Sequence, residues 1–511
     1  MAERLGRAGL VSLAGGATGA VAGLALSVLV GRAYGDTGAG LFFSTVAVFT
    51  IAANVLELGA DTALVRQLSR AAALGEPHRA RSTVLVAVVP VLVVGGLALA
   101  LLWWAVPSFL DGATGEAVRR VLPLALVASL LAVVLGASRG LGRIVPFTLL
   151  WSVGLPATRL LLVAGAVALG LDVGTSLDAW AVAAVPALLV SVVVLHRALR
   201  GTVPAPGTAA PGVPQPVRRR LAGEAREFWG FAAARGVAAA LEILLSWVDV
   251  VLVAVLASPA AAGVYAVVSR AVTAGLLVDT AARVAVSPRM SALLATGHRV
   301  DAGRLQALAT RAMVLLAWPF YVTLGLFAPA VLGLFGPEFV VGAPAMAVLC
   351  GAMMLLVGAG MTQTLLLMGG RSRWQMTNKA VALAVLVVGD VLLVPGLGVL
   401  GAALAWAAAI AVDTVLAVVQ VDRGLGVAIR PRDQLLAGAL SLGVVGGVGA
   451  VVAATVGRDL TGLAMHAAVA VPAYALACVL LRRRLGLSAE LLRGRPGAPA
   501  AGSAAPAPVE G

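Results

Sequence analysis

Residues 82 to 106 read STVLVAVVPVLVVGGLALALLWWAV, a long apolar stretch without a charged side chain. About 20 mostly apolar residues are enough to cross the hydrocarbon core of a bilayer as an α-helix. Fourteen such stretches lie between residues 8 and 481. In hydrocarbon the backbone must satisfy its own hydrogen bonds, and the strands of a membrane barrel would show short alternating patterns instead. The sequence therefore predicts an all-α, polytopic membrane protein.

The composition agrees with this prediction. Hydrophobic residues make up 61% of the 511 residues and charged residues only 12%, whereas soluble domains contain about 25% charged residues. The expected helices, numbered 1 to 14 in chain order, lie at residues 8–30, 40–64, 82–106, 121–138, 145–170, 177–195, 228–256, 260–286, 307–334, 341–368, 377–395, 398–420, 435–456 and 463–481.

The basic residues follow the pattern of a membrane topology. The formal net charge is +14, from 37 Lys and Arg against 23 Asp and Glu. When alternate connections are assigned to opposite sides of the membrane, 29 basic residues fall on one side and four on the other. Cytoplasmic loops carry such an excess, so we expect a multi-pass plasma-membrane protein with both termini in the cytoplasm. No aromatic residues interleave the basic ones, and no nucleic-acid partner is expected.

The longest polar interruption divides the helices six to eight. Its core, Gly201 to Pro216, is rich in Pro, Gly and Ala and is typical of a flexible linker. The predicted organisation is an N-terminal six-helix lobe (1–196), a cytoplasmic linker (197–227), a C-terminal six-helix lobe (228–420), helices 13 and 14 (435–481) and a disordered tail (485–511). Helices 13 and 14 are expected to form a satellite pair or a hydrophobic groove.

The second half of the chain begins like the first. Thr37 to Phe42 (TGAGLF), just after helix 1, matches Ala260 to Tyr265 (AAAGVY), just after helix 7, at a spacing of 223 residues. At the same spacing Arg66 falls on Arg289, each at the cytoplasmic end of the next helix. Because helices 1 and 7 both start in the cytoplasm, the two repeats are parallel, as in one class of transporter. Two similar lobes imply a cavity between them.

Three segments resemble a known family. Gly35 to Phe42 (GDTGAGLF) and Leu56 to Arg66 (LELGADTALVR) are similar to the opening of the polysaccharide-biosynthesis flippases, and Val394 to Ala405 (VPGLGVLGAALA) is similar to the start of their helix 12. These flippases belong to the multidrug/oligosaccharidyl-lipid/polysaccharide exporter superfamily. One departure is Asp390, at a position where the resemblance leads us to expect Asn.

The resemblance implies an activity. It is the movement of an undecaprenyl-pyrophosphate-linked oligosaccharide from the cytoplasmic to the outer leaflet, by alternating access and without an enzymatic reaction. The implied partners are this lipid-linked oligosaccharide and membrane lipids, with a polysaccharide polymerase and glycosyltransferases as further candidates. Three alternatives stay open: a lipid II flippase, a drug/cation antiporter, and a membrane scaffold for glycan-synthesis enzymes that transports nothing.

Ionisable residues within the apolar stretches are the candidates for a functional site. Each costs at least about 2.5–3.5 kcal/mol at the bilayer centre, so each is expected to face the bundle interior. They are Arg159 in helix 5, Arg235, Glu242 and Asp249 in helix 7, Arg270, Asp279 and Arg283 in helix 8, and Asp413 in helix 12.

Helix 7 carries a charged stripe, because Arg235, Glu242 and Asp249 follow at intervals of seven residues and so share a face. We expect this face to line the central cavity; the alternative is Arg–carboxylate pairs that only hold helices together. Arginine binds a diphosphate bidentately and stays charged. The expected substrate-binding residues are Arg159, Arg235, Arg270 and Arg283, and the expected ion-coupling or gate residues are Glu242, Asp249, Asp61, Arg66 and Arg289.

No cofactor and no metal site are expected. The four histidines, His78, His196, His298 and His466, lack the spacing of metal ligands. Cys350 and Cys478 both lie in apolar stretches, and we predict free thiols. The Gly-rich segments follow no strand and form no phosphate-binding loop, so nothing indicates ATP hydrolysis.

Overall fold

A computed structural model describes residues 2–76, 79–110, 112–200, 217–429 and 432–485. These residues are helical almost throughout and include no strand, so the predicted all-α class is confirmed. The core of the expected linker, residues 201–216, and the tail from residue 486 lie outside the described ranges. Cys350 and Cys478 are free thiols, as predicted.

The N-terminal half consists of long helices joined by short turns. Its helices are α1 (Ala2–Leu56), α2 (Ala60–Ala73), α3 (Ala80–Pro90), α4 (Gly96–Ala105), α5 (Gly112–Val121), α6 (Pro123–Gly140), α7 (Ile144–Thr148), α8 (Leu155–Ala168), α9 (Val173–Val182) and α10 (Ala184–Arg200). Two π-helical segments, Val91–Gly95 and Leu149–Gly154, make α3 continuous with α4 and α7 with α8.

The C-terminal half follows the same pattern. Its helices are α11 (Val217–Leu256), α12 (Pro259–Thr273), α13 (Leu276–Ala295), α14 (Arg299–Leu326), α15 (Ala328–Gly333), α16 (Ala343–Ala359), α17 (Thr362–Met368), α18 (Ser372–Val419), α19 (Arg432–Leu440), α20 (Gly447–Thr455) and α21 (Leu460–Leu480). Further π-helical segments lie at Gln420–Leu425 and Ser441–Gly446, and a 3₁₀ segment, Pro337–Gly342, precedes α16.

Twelve helical stretches of the described residues are long and apolar enough to cross a membrane, and two of these are far longer than one crossing needs. Residues 14–73 form a stretch of 60 residues and residues 372–425 one of 54, whereas about 20 residues suffice. Each contains a glycine with non-helical backbone angles, Gly35 in α1 and Gly398 in α18. The count of fourteen helices stays a prediction, which these two breaks support.

The linker differs from its expected bounds, because α10 continues to Arg200 and α11 begins at Val217 instead of residue 228. The added turns contain Leu, Ala, Glu and Arg, which are good helix formers. They are also tied to the N-terminal half: Arg70 at the end of α2 pairs with Glu227, and Arg79 Nε lies 3.9 Å from Glu224 Oε1.

The two halves share one hydrophobic core, in which Phe42 and Phe49 of α1 lie with Tyr265 and Val268 of α12. Helix α1 packs along α12 and α11. Side chains interdigitate elsewhere, but α1 and α12 approach at Gly40 and Gly263 with backbone against backbone. In membrane proteins the hydrophobic effect does not drive helices together, and small residues stabilise the bundle by allowing close packing.

Candidate functional site

The charged stripe of α11 is present, and the structure divides it into two environments. Arg235 Nη2 lies 3.5 Å from Glu242 Oε2, and the two side chains are 35% and 46% exposed. Asp249, seven residues further along, is buried at 3% exposure. The Arg235–Glu242 pair lies within one helix, whereas Arg235 and Glu57, and Arg270 and Asp249, lie within electrostatic range across helices, so the alternative of helix-joining pairs stays open.

Asp249 belongs to a buried polar cluster between α11, α12 and α18. The Tyr265 hydroxyl donates to Asp249 Oδ2 at 2.6 Å, and the Val250 backbone N–H donates to its Oδ1 at 2.8 Å. Arg270 and Asp390 both lie within electrostatic range of Asp249. Asp390 is fully buried, and neither of its carboxylate oxygens accepts a hydrogen bond from the described residues. Two carboxylates in this setting can share one bound cation or proton.

Two of the predicted substrate-binding arginines stack on tryptophan rings. Arg270 of α12 lies over Trp247 of α11 with Cζ 3.6 Å from the ring centroid, and Arg159 of α8 lies over Trp180 of α9 at 3.8 Å. Both Nε atoms are buried and form no hydrogen bond with the described residues. An aromatic face stabilises a guanidinium by about 2 kcal/mol when both are desolvated, and it leaves the N–H groups at the edge free for an anion.

An aromatic cluster supports the Trp180 ring. Trp180 is 5% exposed, and its ring meets Phe49 of α1 edge-to-face at a centroid distance of 5.2 Å and Phe42 at 6.4 Å. Arg159 has no ion-pair partner in the part of the chain that the structure describes. The guanidinium therefore lies within the membrane-spanning region with only an aromatic surface beneath it.

The gate candidates of the N-terminal half, Asp61 and Arg66, lie on α2, which packs against α11. Glu57 is buried and lies within electrostatic range of Asp61 and Arg235. Arg66 lies over the Phe231 ring of α11 at 4.3 Å. Beneath them Gly59 approaches the α11 backbone so closely that a Cβ would fall 2.4 Å from the Ala232 carbonyl oxygen. The structure thus brings Glu57, Asp61 and Arg235 together.

The remaining predicted residues lie apart from these clusters. Arg283 Nε donates to Asp279 Oδ2 at 2.6 Å, four residues earlier on the same helix α13. Arg289 is exposed near the end of α13. Arg283 therefore pairs with a carboxylate on its own helix. Of the predicted substrate-binding arginines, Arg159 and Arg270 are the two without an ion pair within 4 Å among the described residues, although Arg270 lies within electrostatic range of Asp249.

Sequence reasoning missed the partners of the charged residues. Trp247, Trp180, Tyr265 and Asp390 were not among the predicted site residues, although each contacts or faces one of them. The signal for Tyr265 was the repeat itself, since Tyr265 occupies the position of Phe42 in the first half. A tyrosine at an otherwise phenylalanine position introduces one hydroxyl that must find a buried partner.

No group of three or more potential metal ligands occurs among the described residues. His466, the most buried histidine that the structure describes, contacts the Thr323 hydroxyl at 3.0 Å and stacks on Phe327. The site is accordingly one of arginines, aromatic rings and buried carboxylates, groups that can bind an anion or a small cation.

Solved structures with the same fold are transporters. The chain is similar to the lipid II flippase MurJ in an inward closed conformation, with a TM-score of 0.71, 11% identity, and coverage of 91% of this chain and 98% of that chain. It is also similar to an inward-facing multidrug resistance MATE family transporter of the MOP superfamily, with a TM-score of 0.61, 16% identity, and coverage of 80% and 96%. At these identities the likeness concerns the fold.

A third similar structure is a MOP superfamily transporter from Pyrococcus furiosus, with a TM-score of 0.54, 19% identity, and coverage of 81% and 93%. No curated protein matches the sequence. The family model described as "Polysaccharide biosynthesis protein" matches residues 5–294, more than half of the chain. The chain is therefore a member of the polysaccharide biosynthesis protein family, with the fold of the MurJ and MATE transporters.

Proposed function

We propose that this protein is a flippase that moves a lipid-linked oligosaccharide, carried on undecaprenyl pyrophosphate, across the plasma membrane. The observation that carries the proposal is the pair of intramembrane arginines, Arg159 and Arg270. Each is held on a tryptophan face with a buried, unpartnered Nε atom. A charge within the membrane is costly without a counter-ion; Arg159 has no ion-pair partner among the described residues, and Arg270 has the Asp249 carboxylate within electrostatic range. A diphosphate matches the donor geometry of guanidinium groups.

The family adds the substrate class, since its members take part in polysaccharide biosynthesis. The arginine bias of the loops supports an orientation with both termini in the cytoplasm, where the lipid-linked sugar would be loaded. The flippase would alternate between cytoplasmic and outer access by rocking of its two halves about the bound head group. Polymerases and glycosyltransferases that consume or supply the glycan are the proposed partners.

The buried carboxylates would couple transport to an ion gradient. Asp249 and Asp390, with the Tyr265 hydroxyl between α11 and α12, would bind a proton or a monovalent cation whose gradient drives the return of the empty carrier. Glu57, Asp61, Arg66 and Arg235 would form the gate at the contact between α2 and α11. Arg289 would act near the cytoplasmic end of α13, and the Arg283–Asp279 pair in the N-terminal part of that helix.

A second candidate is the flipping of lipid II, which is supported by the similarity to the lipid II flippase fold over 91% of this chain. Lipid II also carries a pyrophosphate, so Arg159 and Arg270 do not distinguish the two substrates. The two lipids differ in their sugar portion, so a direct comparison of their transport distinguishes the two functions.

The proposal is tested with the purified protein in lipid vesicles that contain fluorescent undecaprenyl-pyrophosphate oligosaccharide or fluorescent lipid II in separate preparations. Translocation is read from the access of a membrane-impermeant quencher. Arg159→Ala and Arg270→Ala are expected to reduce translocation by at least tenfold, and the exposed surface variant Arg304→Ala is the control. Unchanged translocation in both arginine variants would contradict the site, and movement of neither lipid by the unaltered protein would contradict the function.

A further inference from the structure

A helix of the C-terminal half is broken at the end of the candidate membrane span of residues 337–359. Helix α16 ends at Ala359 and α17 begins at Thr362, with Gly360 between them at φ 69° and ψ −142°. The side chain of Gln306 on α14 forms hydrogen bonds with backbone groups on both sides of the break. Its Nε2 donates to the Ala359 carbonyl at 3.1 Å, and its Oε1 accepts from the Met361 N–H at 3.2 Å. Broken helices in transporters occur where backbone or side chains serve a binding site.

Gln363, near the start of α17, belongs to a network of buried polar side chains. Gln363 Nε2 on α17 donates to Asp413 Oδ2 on α18 at 3.0 Å. The Lys379 ammonium, on the part of α18 before Gly398, donates to the same oxygen at 2.7 Å. Asp413 is 1% exposed and Gln363 7%. This network lies outside the arginine sites and the Asp249 cluster, and the proposed transport site does not use it.

Two oxygens of this network are left without a partner. Asp413 Oδ1 and Gln363 Oε1 are both buried, and neither forms a hydrogen bond with the described residues. Both are acceptors when Asp413 is ionised, so they cannot satisfy each other. If a proton is placed on Asp413 Oδ1, however, the acid O–H can donate to Gln363 Oε1 while Gln363 Nε2 still donates to Oδ2. One proton thus completes a cyclic acid–amide pair and satisfies both atoms.

We propose that Asp413 and Gln363 form a proton-binding site in the C-terminal half, in which Lys379 is the cation that leaves when the proton binds. The proton forms one O–H bond at Asp413 Oδ1, and the Lys379 ammonium keeps its protons. Lys379 is the only lysine among 37 basic residues, and its side chain is 20% exposed, so it has a route to water. A flexible ammonium that makes a single contact is released more readily than a bidentate guanidinium.

Among the described residues, the ion-pair partner of Asp413 is Lys379. The other charged groups near the site have partners elsewhere or lie on other parts of the fold. Helices α16 and α17, which pack against α18, contain no Asp, Glu, Lys or Arg. On α11 Glu242 is paired with Arg235, and on α13 Asp279 is paired with Arg283. Asp249, Tyr265, Arg270 and Asp390 belong to the separate cluster, and Asp422 and Arg423 lie on the π-helical segment that ends α18.

The test is an infrared pH titration of the full chain in lipid, without any transport substrate. A protonated carboxylic acid gives its own carbonyl band, and the spectrum of Asp413→Asn subtracted from that of the unaltered protein isolates the band of Asp413. We expect one band that grows as the pH falls and is absent in Asp413→Asn. The matched control Asp301→Asn, at an exposed acid paired with Arg304, is expected to keep it.

Two further variants test the partners and keep Asp413 in place. Lys379→Gln removes the competing cation, so the band is expected to appear at a higher pH. Gln363→Leu removes the amide that donates to the acid carbonyl, so the band is expected to move to a higher wavenumber. Identical titrations of the unaltered protein and Asp413→Asn would overturn the proposal, as would bands that neither Lys379→Gln nor Gln363→Leu moves. If Asp413→Asn fails to fold, Lys379→Gln and Gln363→Leu alone decide. Because no substrate is present, the result is independent of the flippase assignment.

Discussion

Gly40 and Gly263, separated by 223 residues and equivalent in the two repeats, lie against each other where α1 meets α12. A Cβ on Gly40 would fall 1.7 Å from the Pro259 carbonyl oxygen, and one on Gly263 would fall 2.0 Å from the Asp36 carbonyl oxygen. The matching positions of the two halves therefore meet at their shared interface. This is the arrangement expected if an axis along the membrane normal relates the repeats.

The close approach predicts that Gly40→Ala destabilises the fold. The added methyl group must push α1 away from α12, and such overpacking costs about 1–3 kcal/mol. The measurement is thermal unfolding of the purified protein in detergent. Gly23→Ala is the matched control on the same helix, because a Cβ there has open space, and alanine is favoured over glycine in helices. Equal unfolding temperatures for the two variants would contradict the contact.

The tryptophan beneath Arg270 predicts a smaller effect than removal of the arginine itself. Trp247→Leu keeps an apolar side chain but removes the aromatic face, whose stabilisation of a desolvated cation is about 2 kcal/mol. Translocation is expected to fall, though less than in Arg270→Ala. The exposed Trp104, 78% exposed, provides the control Trp104→Leu, which is expected to change nothing. Equal reductions of translocation in Trp104→Leu and Trp247→Leu would contradict a role for the stacking of Arg270 on Trp247.

The orphaned carboxylate of Asp390 predicts that Asp390→Asn is tolerated structurally but uncouples transport. A buried charge without hydrogen bonds is costly, so the neutral side chain is expected to leave the unfolding temperature unchanged or raised. Translocation is expected to lose its dependence on an imposed proton or sodium gradient, whereas Asp301→Asn retains it. A clear loss of stability with intact gradient dependence would assign Asp390 a structural role.

The broken helix predicts that Gly360→Ala is strongly destabilising. A Cβ at this position would lie 1.8 Å from Thr310 Oγ1 and 2.6 Å from Gln306 Nε2, and its φ of +69° disfavours any L side chain. The free energy of unfolding is expected to fall by more than about 1 kcal/mol, the scale of an ordinary Gly-to-Ala change. Gly351→Ala on the preceding helix has open space and serves as the comparison in the same thermal unfolding experiment. Similar behaviour of both variants would rule out the break.

The cap of α9 predicts a pH-dependent contribution to stability outside the membrane. The Thr175 hydroxyl donates to Asp172 at 2.6 Å, and this hydrogen bond lowers the pKa of the Asp172 carboxyl. A lowered pKa stabilises the fold above the ordinary Asp value of about 4, and this contribution disappears as the pH falls through the folded-state pKa. Asp172→Ala is expected to unfold at a lower temperature at neutral pH.

The gap in unfolding temperature between Asp172→Ala and the unaltered protein is expected to narrow as the pH falls below about 4. Thr175→Val, which removes only the hydroxyl donor, is expected to show the same narrowing with a smaller gap. A gap that stays constant over this pH range would show that the Asp172 charge contributes nothing.

The fold was largely predictable because a bilayer imposes a simple rule on sequence. Stretches such as residues 82–106 can only be spanning helices, and the turns at Gly35 and Gly398 fall where the predicted helices 1 and 2, and 11 and 12, meet. The start of α11 was less predictable, because Val217 to Glu227 is polar and becomes helical through local helix propensity and ion pairs with Arg70 of α2 and with Arg79, which precedes α3.

The site was only partly predictable. The cost of burying charge identified Arg159, Arg270 and Asp249 from the sequence. Nothing in the order of residues paired them with Trp180, Trp247 and Tyr265, since these contacts depend on how neighbouring helices rotate about their axes. The structure also joined Gln363, Lys379 and Asp413, which lie up to 50 residues apart.

The sequence by itself determined that the chain spans a membrane as a bundle of helices and which charges its interior must accommodate, because the free energy of placing each residue in hydrocarbon is a property of that residue. The tertiary structure decided which charges are neutralised along their own helix, as in Arg235 with Glu242, and which face an aromatic ring or an unpartnered acid. That distinction depends on distances of a few ångströms between helices, and only packing sets those distances.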